Sequence, residues 1–351
     1  MHVFHIMAGR ANGGAETYCA DLLGCLAMAG VRQTAILSSG YNRGGELADR
    51  GIDVRTGPLS VPVIPLQRLR IGQTFRGLAD KPDIVHAWMR RGSTLVPSGL
   101  PCPVISWSGG YYPVDKLARG ATHFVGNTPD ILRHFRDGGI AADKTSLQTT
   151  FPMLDTAQKA ADRASLDTPA GAPLLVTLAR LHVKKGLDTL FKSLVPLPGY
   201  FLWLAGDGEL EAELKTLAST LGIADRVRFL GWRKDRAALL GAADMLVVPS
   251  RFEPFGTVLL EGWAMKKPVV ATAWPHTVIE NEKTGLTMPI DDGEALTAAI
   301  RRAWEDKALA ARLVAAAHAK FEAEYSPEVS TRRMIALYED LIRRHKVDAA
   351  A

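Results

Sequence analysis

Short apolar runs alternate with helix-like segments along nearly the whole chain, and this alternation constrains the fold more strongly than any other feature. The clearest runs are Val3–Met7, Thr34–Leu37, Ile84–Ala87, Val104–Trp107, His123–Gly126, Thr145–Gln148, Leu174–Leu178, Phe201–Ala205, Val227–Leu230, Met245–Val248, Val269–Ala271 and Leu286–Met288. Runs that are apolar throughout are typical of strands buried on both faces of a sheet. Strands that alternate with helices predict βαβ units and therefore parallel sheets.

The length of 351 residues favours two domains over one. Residues 152–173 are rich in Ala, Asp and Thr and have no strand pattern, so we interpret them as the interdomain connection. We predict an α/β protein of two Rossmann-like domains, residues 1–165 and 166–326, with parallel sheets facing a central cleft. The helical segment 327–351 is expected to pack back toward the N-terminal domain.

The composition indicates a cytoplasmic protein. No apolar run approaches the roughly 20 residues of a membrane-spanning helix, and the first residues resemble a strand more than a signal peptide. The three cysteines are sparse and form no Cys-x-x-Cys motif, which favours reduced thiols.

Positive charge is concentrated in the N-terminal half. Residues 1–150 hold 16 Lys and Arg against 11 Asp and Glu, whereas the remainder holds 26 of each. Arginines alternate with apolar residues in the segment Leu66–Arg76, which is either a solvated surface helix or a patch for anionic lipid headgroups or a phosphorylated acceptor. No aromatic-interleaved basic motif or zinc-finger spacing points to nucleic acid.

Two carboxylates mark the segment 249–261, Pro-Ser-Arg-Phe-Glu-Pro-Phe-Gly-Thr-Val-Leu-Leu-Glu. With Pro254 in the first helical turn, Glu253 would lie just before a helix and Glu261 about two turns inside it, ~11 Å along the axis. The first helical N–H groups would form an anion site suited to phosphate. The alternative is a surface helix with two solvated acids. The buried strand that precedes the segment favours a ligand site, because open α/β sheets bind ligands at the carboxyl ends of strands.

Two cations follow the strand Leu174–Leu178. Arg180 and Lys185 lie in the next loop, where they would neutralise a diphosphate without a metal or form a solvated basic loop. Histidines show no ligand spacing and the chain has no Asp-x-Asp, so no metal site is expected.

Three other turns follow strands. Gly13 and Gly14 allow close approach to phosphate or sugar, although the pattern is not a dinucleotide fingerprint. Gly208 follows Asp207, which is expected to cap a helix. Trp232 and Arg233 would lie near a nucleobase, or Trp232 would simply pack.

These residues together resemble the family 4 retaining glycosyltransferases of the two-domain GT-B fold, of the bacterial cell-envelope and lipopolysaccharide type. The resemblance covers nearly the whole chain. It is strongest from Leu174 to Ile300, where Arg180, Lys185-Gly186, Gly206-Asp207-Gly208, the 249–256 segment and Glu261 fall in order. In the N-terminal half, Gly13-Gly14-Ala15-Glu16, Pro82–His86 and Gly126-Asn127-Thr128 match more loosely.

The resemblance implies a hexosyltransferase that needs no cofactor and uses a UDP-sugar or GDP-sugar as its donor substrate. The C-terminal domain would bind this donor and the N-terminal domain a glycan or glycolipid acceptor. Arg180 and Lys185 would stabilise the departing diphosphate, Glu253 would bind the donor sugar and Glu261 the ribose. The implied donor site comprises Gly13, Gly14, Arg180, Lys185, Gly208, Trp232, Arg233, Glu253, Phe255, Gly256, Thr257, Val258 and Glu261.

One departure concerns the sugar-contacting side. Many members place a histidine after the fourth strand, where this chain has Trp107-Ser108-Gly109 instead. Trp107, Ser108, Gly109 and His86 are therefore the candidates for this side, His86 being either a cleft residue or a packed histidine.

Two other functions remain open at this stage, a nucleotide-sugar epimerase of the same fold and a non-catalytic sugar-nucleotide-binding module. The preferred function is transfer in lipopolysaccharide or envelope polysaccharide synthesis, in the cytoplasm or peripherally on the inner face of the membrane.

Overall fold

The computed structural model describes residues 1–9, 13–57, 59, 63–118 and 120–350. These residues form two units by their internal contacts. The first unit comprises Met1–Phe151 and Ser326–Ala351, and the second unit comprises Pro152–Tyr325. The chain thus leaves the first unit after Phe151 and returns to it at Ser326.

The first unit is built on a parallel sheet. Its strands are β1 (His2–Met7), β2 (Arg32–Ser38), β3 (Asp53–Gly57), β4 (Ile84–Trp88), β5 (Val104–Ser108), β6 (His123–Gly126) and β7 (Thr145–Leu147), in the order β3-β2-β1-β4-β5-β6-β7. All described strand pairs are parallel. β1, β4 and β5 are buried along their whole length, which explains why their sequences are apolar runs rather than alternating ones.

The described helices of the first unit connect these strands. They are α1 (Gly14–Met28), α2 (Gly44–Asp49), α3 (Ile64–Gly77), α4 (Met89–Thr94), α5 (Val114–Ala118) and α6 (Pro129–Asp137), together with the C-terminal helix α13 (Pro327–Ala350), which packs on α1. Tyr338 of α13 is fully buried, and its hydroxyl lies 2.6 Å from His86 Nδ1 on β4. The last helix is therefore joined to the centre of the first sheet.

The second unit has a parallel sheet of its own. Its strands are β8 (Leu174–Leu178), β9 (Phe201–Ala205), β10 (Val227–Gly231), β11 (Met245–Val248), β12 (Val269–Thr272) and β13 (Leu286–Met288), in the order β10-β9-β8-β11-β12-β13. Its described helices are α7 (Leu187–Leu194), α8 (Glu211–Thr220), α9 (Arg236–Ala242), α10 (Thr257–Ala264), α11 (Gly293–Glu305) and α12 (Lys307–Lys320). Large buried clusters lie on both faces of this sheet, since its strand residues alternate between two separate apolar cores.

Both sheets have the strand order of a Rossmann fold, and this confirms the predicted α/β class. Each order reverses direction at one place, between β1 and β4 in the first unit and between β8 and β11 in the second. Such a switch point leaves a crevice outside the carboxyl ends of the two strands, where open α/β sheets bind ligands.

Residues 152–173 are part of the second unit. Arg163 donates hydrogen bonds to the carbonyl oxygens of Ala170, Ala172 and Ala242 and forms an ion pair with Asp244. These bonds, together with packing of Leu154, Ala161 and Leu166 against a buried cluster, hold the segment to the second unit without a strand.

Among the described helices, none has the length and apolar character that crossing a membrane requires.

Candidate functional site

Three glycines bring the loops at the carboxyl edge of the second sheet into backbone contact. A Cβ at Gly206 would overlap with the carbonyl of Ala179, one at Gly208 with that of Leu181, and one at Gly186 with that of Pro249. All three glycines have positive φ, at 149°, 155° and 60° respectively. The loops after β8, β9 and β11 therefore pack more closely than side chains would allow.

Lys185 and Glu253 form an ion pair at the switch point of the second unit. Lys185 ends a short 3₁₀ helix, Val183–Lys185, in the loop after β8, and Glu253 lies in the loop after β11. Ser250 Oγ donates a second hydrogen bond, of 2.9 Å, to the same Glu253 oxygen. The Glu253 side chain is 10% exposed and that of Lys185 is 24% exposed. A pair so shielded from water is screened less by salt than a surface ion pair.

The helix after Glu253 begins later than the sequence predicted. α10 starts at Thr257, and its N-cap is Gly256 with φ of 79°. Pro254 consequently lies in the preceding loop instead of the first helical turn, because the left-handed backbone at Gly256 delays the start of the helix. Glu261 is then about one turn inside the helix, ~6 Å along the axis from Thr257 rather than the two turns expected.

Glu261 is 4% exposed and pairs with Arg236 at the start of α9. Sequence reasoning did not identify this partner. The two carboxylates predicted to grip one ligand are thus each neutralised by a different cation, Lys185 for Glu253 and Arg236 for Glu261. Both pairs lie at the carboxyl edge of the second sheet, since each is carried by loops or helix starts that follow its strands.

Arg180 follows β8 at the same edge, and its residue is exposed. Its side chain makes no ion pair or hydrogen bond with another described residue, so it does not join either carboxylate. The Arg180 guanidinium is thus a positive charge at this edge that no described carboxylate neutralises. That charge favours an anionic ligand.

The remaining residues predicted for donor binding in the second unit differ from one another in their exposure and in their partners. Phe255 is buried, and its ring lies against that of Tyr325. Trp232 is 57% exposed and does not pack in the core. Arg233 donates to Asp235 at 2.7 Å, and this guanidinium holds the pKa of the Asp235 carboxyl below its usual value. No side chain caps α10, whose first residues are Thr257 and Val258.

Gly13 and Gly14 lie at the start of α1 in the first unit. A Cβ at Gly13 would lie 2.6 Å from a carboxylate oxygen of Glu16, whereas Gly14 has open space beside it. Ala11 and Asn12, which belong to the same predicted turn, are outside the described residues.

The residues predicted for the sugar-contacting side are largely internal in this structure. His86, Trp107 and Ser108 are each at most 1% exposed, and only Gly109 is partly accessible. The ring of His86 stacks on Trp88 with a centroid separation of 4.2 Å, while Ser108 Oγ donates to the carbonyl of Gly110. His86 lies in the middle of β4 rather than at its end, so its side chain packs in the interior.

Arg236, Ser250 and Arg251 were not assigned a role from the sequence. Ser250 and Arg251 belong to the segment that drew attention to Glu253, and their position inside that motif was the available signal. Arg236 gave no such signal, because its partner Glu261 lies 25 residues further along the chain.

Comparison with known proteins agrees with this geometry. Residues 158–320 match the family model of glycosyl transferases group 1. Over 336 residues the chain is 36% identical to a lipopolysaccharide core biosynthesis glycosyltransferase, LpsE, of Rhizobium meliloti strain 1021, covering 94% of this chain and 97% of that protein. A second protein of that organism, the lipopolysaccharide core biosynthesis glycosyltransferase LpsD, is 31% identical and is matched over 97% of this chain and 98% of its own length.

Solved structures share the fold at low identity. A glycosyltransferase from Rickettsia africae ESF-5 matches with a TM-score of 0.84 and 20% identity, over 97% of this chain and 98% of that chain. Anabaena HepE, solved in complex with UDP-glucose, matches with a TM-score of 0.81 and 21% identity, over 97% of this chain and the whole of that chain. Since two full-length relatives exceed 30% identity, the chain belongs to the group 1 glycosyltransferases and has the GT-B fold.

Proposed function

We propose that this glycosyltransferase moves a sugar from a nucleotide-diphosphate sugar to a hydroxyl of a glycan or glycolipid acceptor, with retention of anomeric configuration and without a metal ion. The observation that carries the proposal is the Lys185–Glu253 pair at the switch point of the second unit. It puts a cation and a carboxylate side by side where a diphosphate and the sugar attached to it would need them.

The chemistry follows from the charges at this edge. Lys185 and Arg180 would stabilise the negative charge that develops on the departing diphosphate, and Glu253 would orient the sugar through its hydroxyl groups. The acceptor hydroxyl would attack from the face that the diphosphate leaves, with the leaving phosphate as base. This route requires no covalent nucleophile. Arg236 would hold the Glu261 carboxylate toward the ribose hydroxyls.

The names of the relatives suggest the substrates. Two relatives matched over nearly their full length are lipopolysaccharide core biosynthesis enzymes, and HepE was solved with UDP-glucose. We therefore infer a UDP-sugar donor, with a GDP-sugar as the alternative, and an acceptor in the lipopolysaccharide core. We therefore expect the protein to act in the cytoplasm, beside the inner membrane.

The helix α3 is the proposed contact with that membrane. Four apolar residues at its start, Val63, Ile64, Leu66 and Leu69, are between 39% and 52% exposed. Arg70 and Arg76 lie on the same helix, which has no acidic residue in its first turn. Exposed apolar residues beside arginines suit an anionic bilayer surface. The apolar side chains would insert among the lipid headgroups, and the arginines would pair with lipid phosphates.

The proposal is tested by incubating the protein with UDP-, GDP- and ADP-sugars, with and without a truncated lipopolysaccharide core acceptor. We expect acceptor-dependent release of one nucleoside diphosphate, unchanged by EDTA, and NMR of the product should show the anomeric configuration of the donor. An isomerised sugar nucleotide without transfer would indicate an epimerase. Inverted product would refute retention, and loss of activity in EDTA that magnesium restores would refute metal independence.

A further inference from the structure

Arg251 belongs to the loop after β11, which also carries Glu253, and it binds the 3₁₀ helix that ends at Lys185. Its backbone N–H donates to the carbonyl of Lys184 at 2.8 Å, and its Nη1 donates to the carbonyl of Val183, also at 2.8 Å. Both carbonyls belong to the 3₁₀ helix that Lys185 ends. Glu253 follows Arg251 two positions later in the chain, with only Phe252 between them. One residue therefore connects the two charged groups through short stretches of backbone.

The guanidinium is fixed from two further directions. Nε donates to both carboxylate oxygens of Asp291, at 2.7 and 2.9 Å, and Nη2 donates to Asp188 at 2.8 Å. Asp188 belongs to α7 and Asp291 to the loop between β13 and α11. Thr189 donates to Asp291 at 2.9 Å and so orients that carboxylate. A planar guanidinium held by two carboxylates has little freedom to rotate.

These bonds engage the guanidinium of Arg251 with protein groups. Each of its three side-chain nitrogens already has a protein partner, and the two carboxylates raise the pKa of its guanidinium. The same contacts lower the pKa of Asp188 and of Asp291. A cation held by these partners is suited to positioning the groups around it.

We propose that Arg251 is the positioning residue that sets the geometry of Lys185 and Glu253 for glycosyl transfer. It fixes the 3₁₀ helix after β8 against the loop after β11 and anchors both to Asp188 and Asp291. This inference rests on the proposed roles of Lys185 and Glu253. Loss of the anchor lets the two loops separate, and small displacements of charge-stabilising groups reduce the rate strongly.

The inference predicts a coupling between Arg251 and Lys185. Arg251→Ala should lower kcat about 10- to 100-fold while the donor KM changes much less, because the misplaced groups matter most in the transition state. When Lys185 is already removed, Arg251 has less left to position. The double variant Lys185→Ala/Arg251→Ala should therefore be about as slow as Lys185→Ala alone rather than slower by the product of both losses.

The matched control is Arg163→Ala. Arg163 is also half-buried, binds three carbonyl oxygens of the second unit and pairs with Asp244, but it lies in the segment before β8. Its loss should lower the melting temperature and leave kcat unchanged. Arg251→Lys should recover part of the lost rate, because a lysine keeps one ion pair but cannot bind both carboxylates and a carbonyl.

Steady-state kinetics and thermal melts of these purified full-length variants decide the matter. Wild-type kcat in folded Arg251→Ala would overturn the positioning role, and so would multiplicative losses in the double variant. If Arg251→Ala does not fold, Asp291→Asn gives the same test with a milder change, since it weakens one anchor of the guanidinium. Wild-type kcat in Lys185→Ala would instead contradict the proposed function itself.

Discussion

At the residue scale, the central feature is a carboxylate that depends on its partner. Glu253 accepts from Lys185 and from Ser250, and 10% of its side chain is exposed. Removing one member of such a shielded pair leaves the other charge without its counter-ion, whereas removing a surface charge costs little. Loss of Lys185 should therefore affect both activity and stability.

We expect Lys185→Ala and Glu253→Gln each to lower kcat about 100-fold, the usual effect of removing one charge-stabilising group from an active site. Lys184→Ala is the matched control. Lys184 is the adjacent residue, exposed, and its ammonium lies 5.4 Å from the ring centre of Phe252 rather than at a carboxylate. Initial rates at saturating donor and acceptor, with circular dichroism to confirm folding, measure the effect. Equal rates for Lys184→Ala and Lys185→Ala would exclude a specific role for Lys185.

The same scale shows what sequence reasoning could find and what it could not. Glu253, Lys185 and Arg180 were identifiable because each follows a strand within a few residues, and strand ends are where such a sheet binds ligands. The sequence motif contains Arg251 but does not indicate its function, because its partners Asp188 and Asp291 lie 63 and 40 residues away in the chain. Contacts between residues so far apart in the sequence become apparent only when the order of the strands in the sheet is known.

At the element scale, most strands were predictable from the sequence, but the polar edge strand β3 was not. β8, β9, β11 and β13 begin and end at the predicted residues. β3 was missed because its sequence, Asp-Val-Arg-Thr-Gly, is polar, and it forms the outer edge of the first sheet with no fully buried residue. The start of α10 was misplaced because Gly256 adopts a left-handed conformation that no local pattern indicates.

The helix α3 provides a prediction at this scale. If its exposed apolar residues insert into a bilayer, Leu66→Ser/Leu69→Ser should weaken binding to vesicles containing anionic phospholipid about 10-fold or more, since each buried leucine contributes roughly 1.5–3 kcal/mol. Binding by the wild-type protein should fall as salt is raised, because the arginines interact with lipid phosphates through screened charges.

Sedimentation with vesicles of anionic or purely zwitterionic lipid measures both effects. Met28→Ser is the matched control, because Met28 is 76% exposed on a different helix, α1, of the same unit. Equal binding of the wild-type protein to both kinds of vesicle, or equal weakening by Met28→Ser, would contradict a role for α3.

At the scale of the whole molecule, buried histidines make stability depend on pH. Burial lowers the pKa of His5 to about 3 and that of His86 well below its usual value, and burial together with Arg344 lowers the pKa of His123 to about 4. All three belong to the first unit. An unfolded histidine titrates near 6.5. Between that pH and the folded-state pKa, the unfolded chain binds protons that the folded chain does not.

The free energy of unfolding should therefore fall as the pH drops below about 6.5, by about 2 kcal/mol for each such histidine on reaching pH 5. Urea denaturation at pH 7, 6 and 5 measures this slope. In His5→Asn the slope should be shallower whatever its stability at pH 7, because one titrating group has been removed. A slope identical to that of the wild-type protein would show that His5 does not titrate on unfolding.

The path of the chain between its two units has a consequence for biosynthesis. Since α13 completes the first unit but follows the second in sequence, a nascent polypeptide emerging from the ribosome has the seven-stranded sheet before the helix that supplies Tyr338 to His86. Domains generally fold as they are made. Here the second unit can fold completely before the first unit has its last helix. The unit whose synthesis begins first is therefore the last to complete its fold.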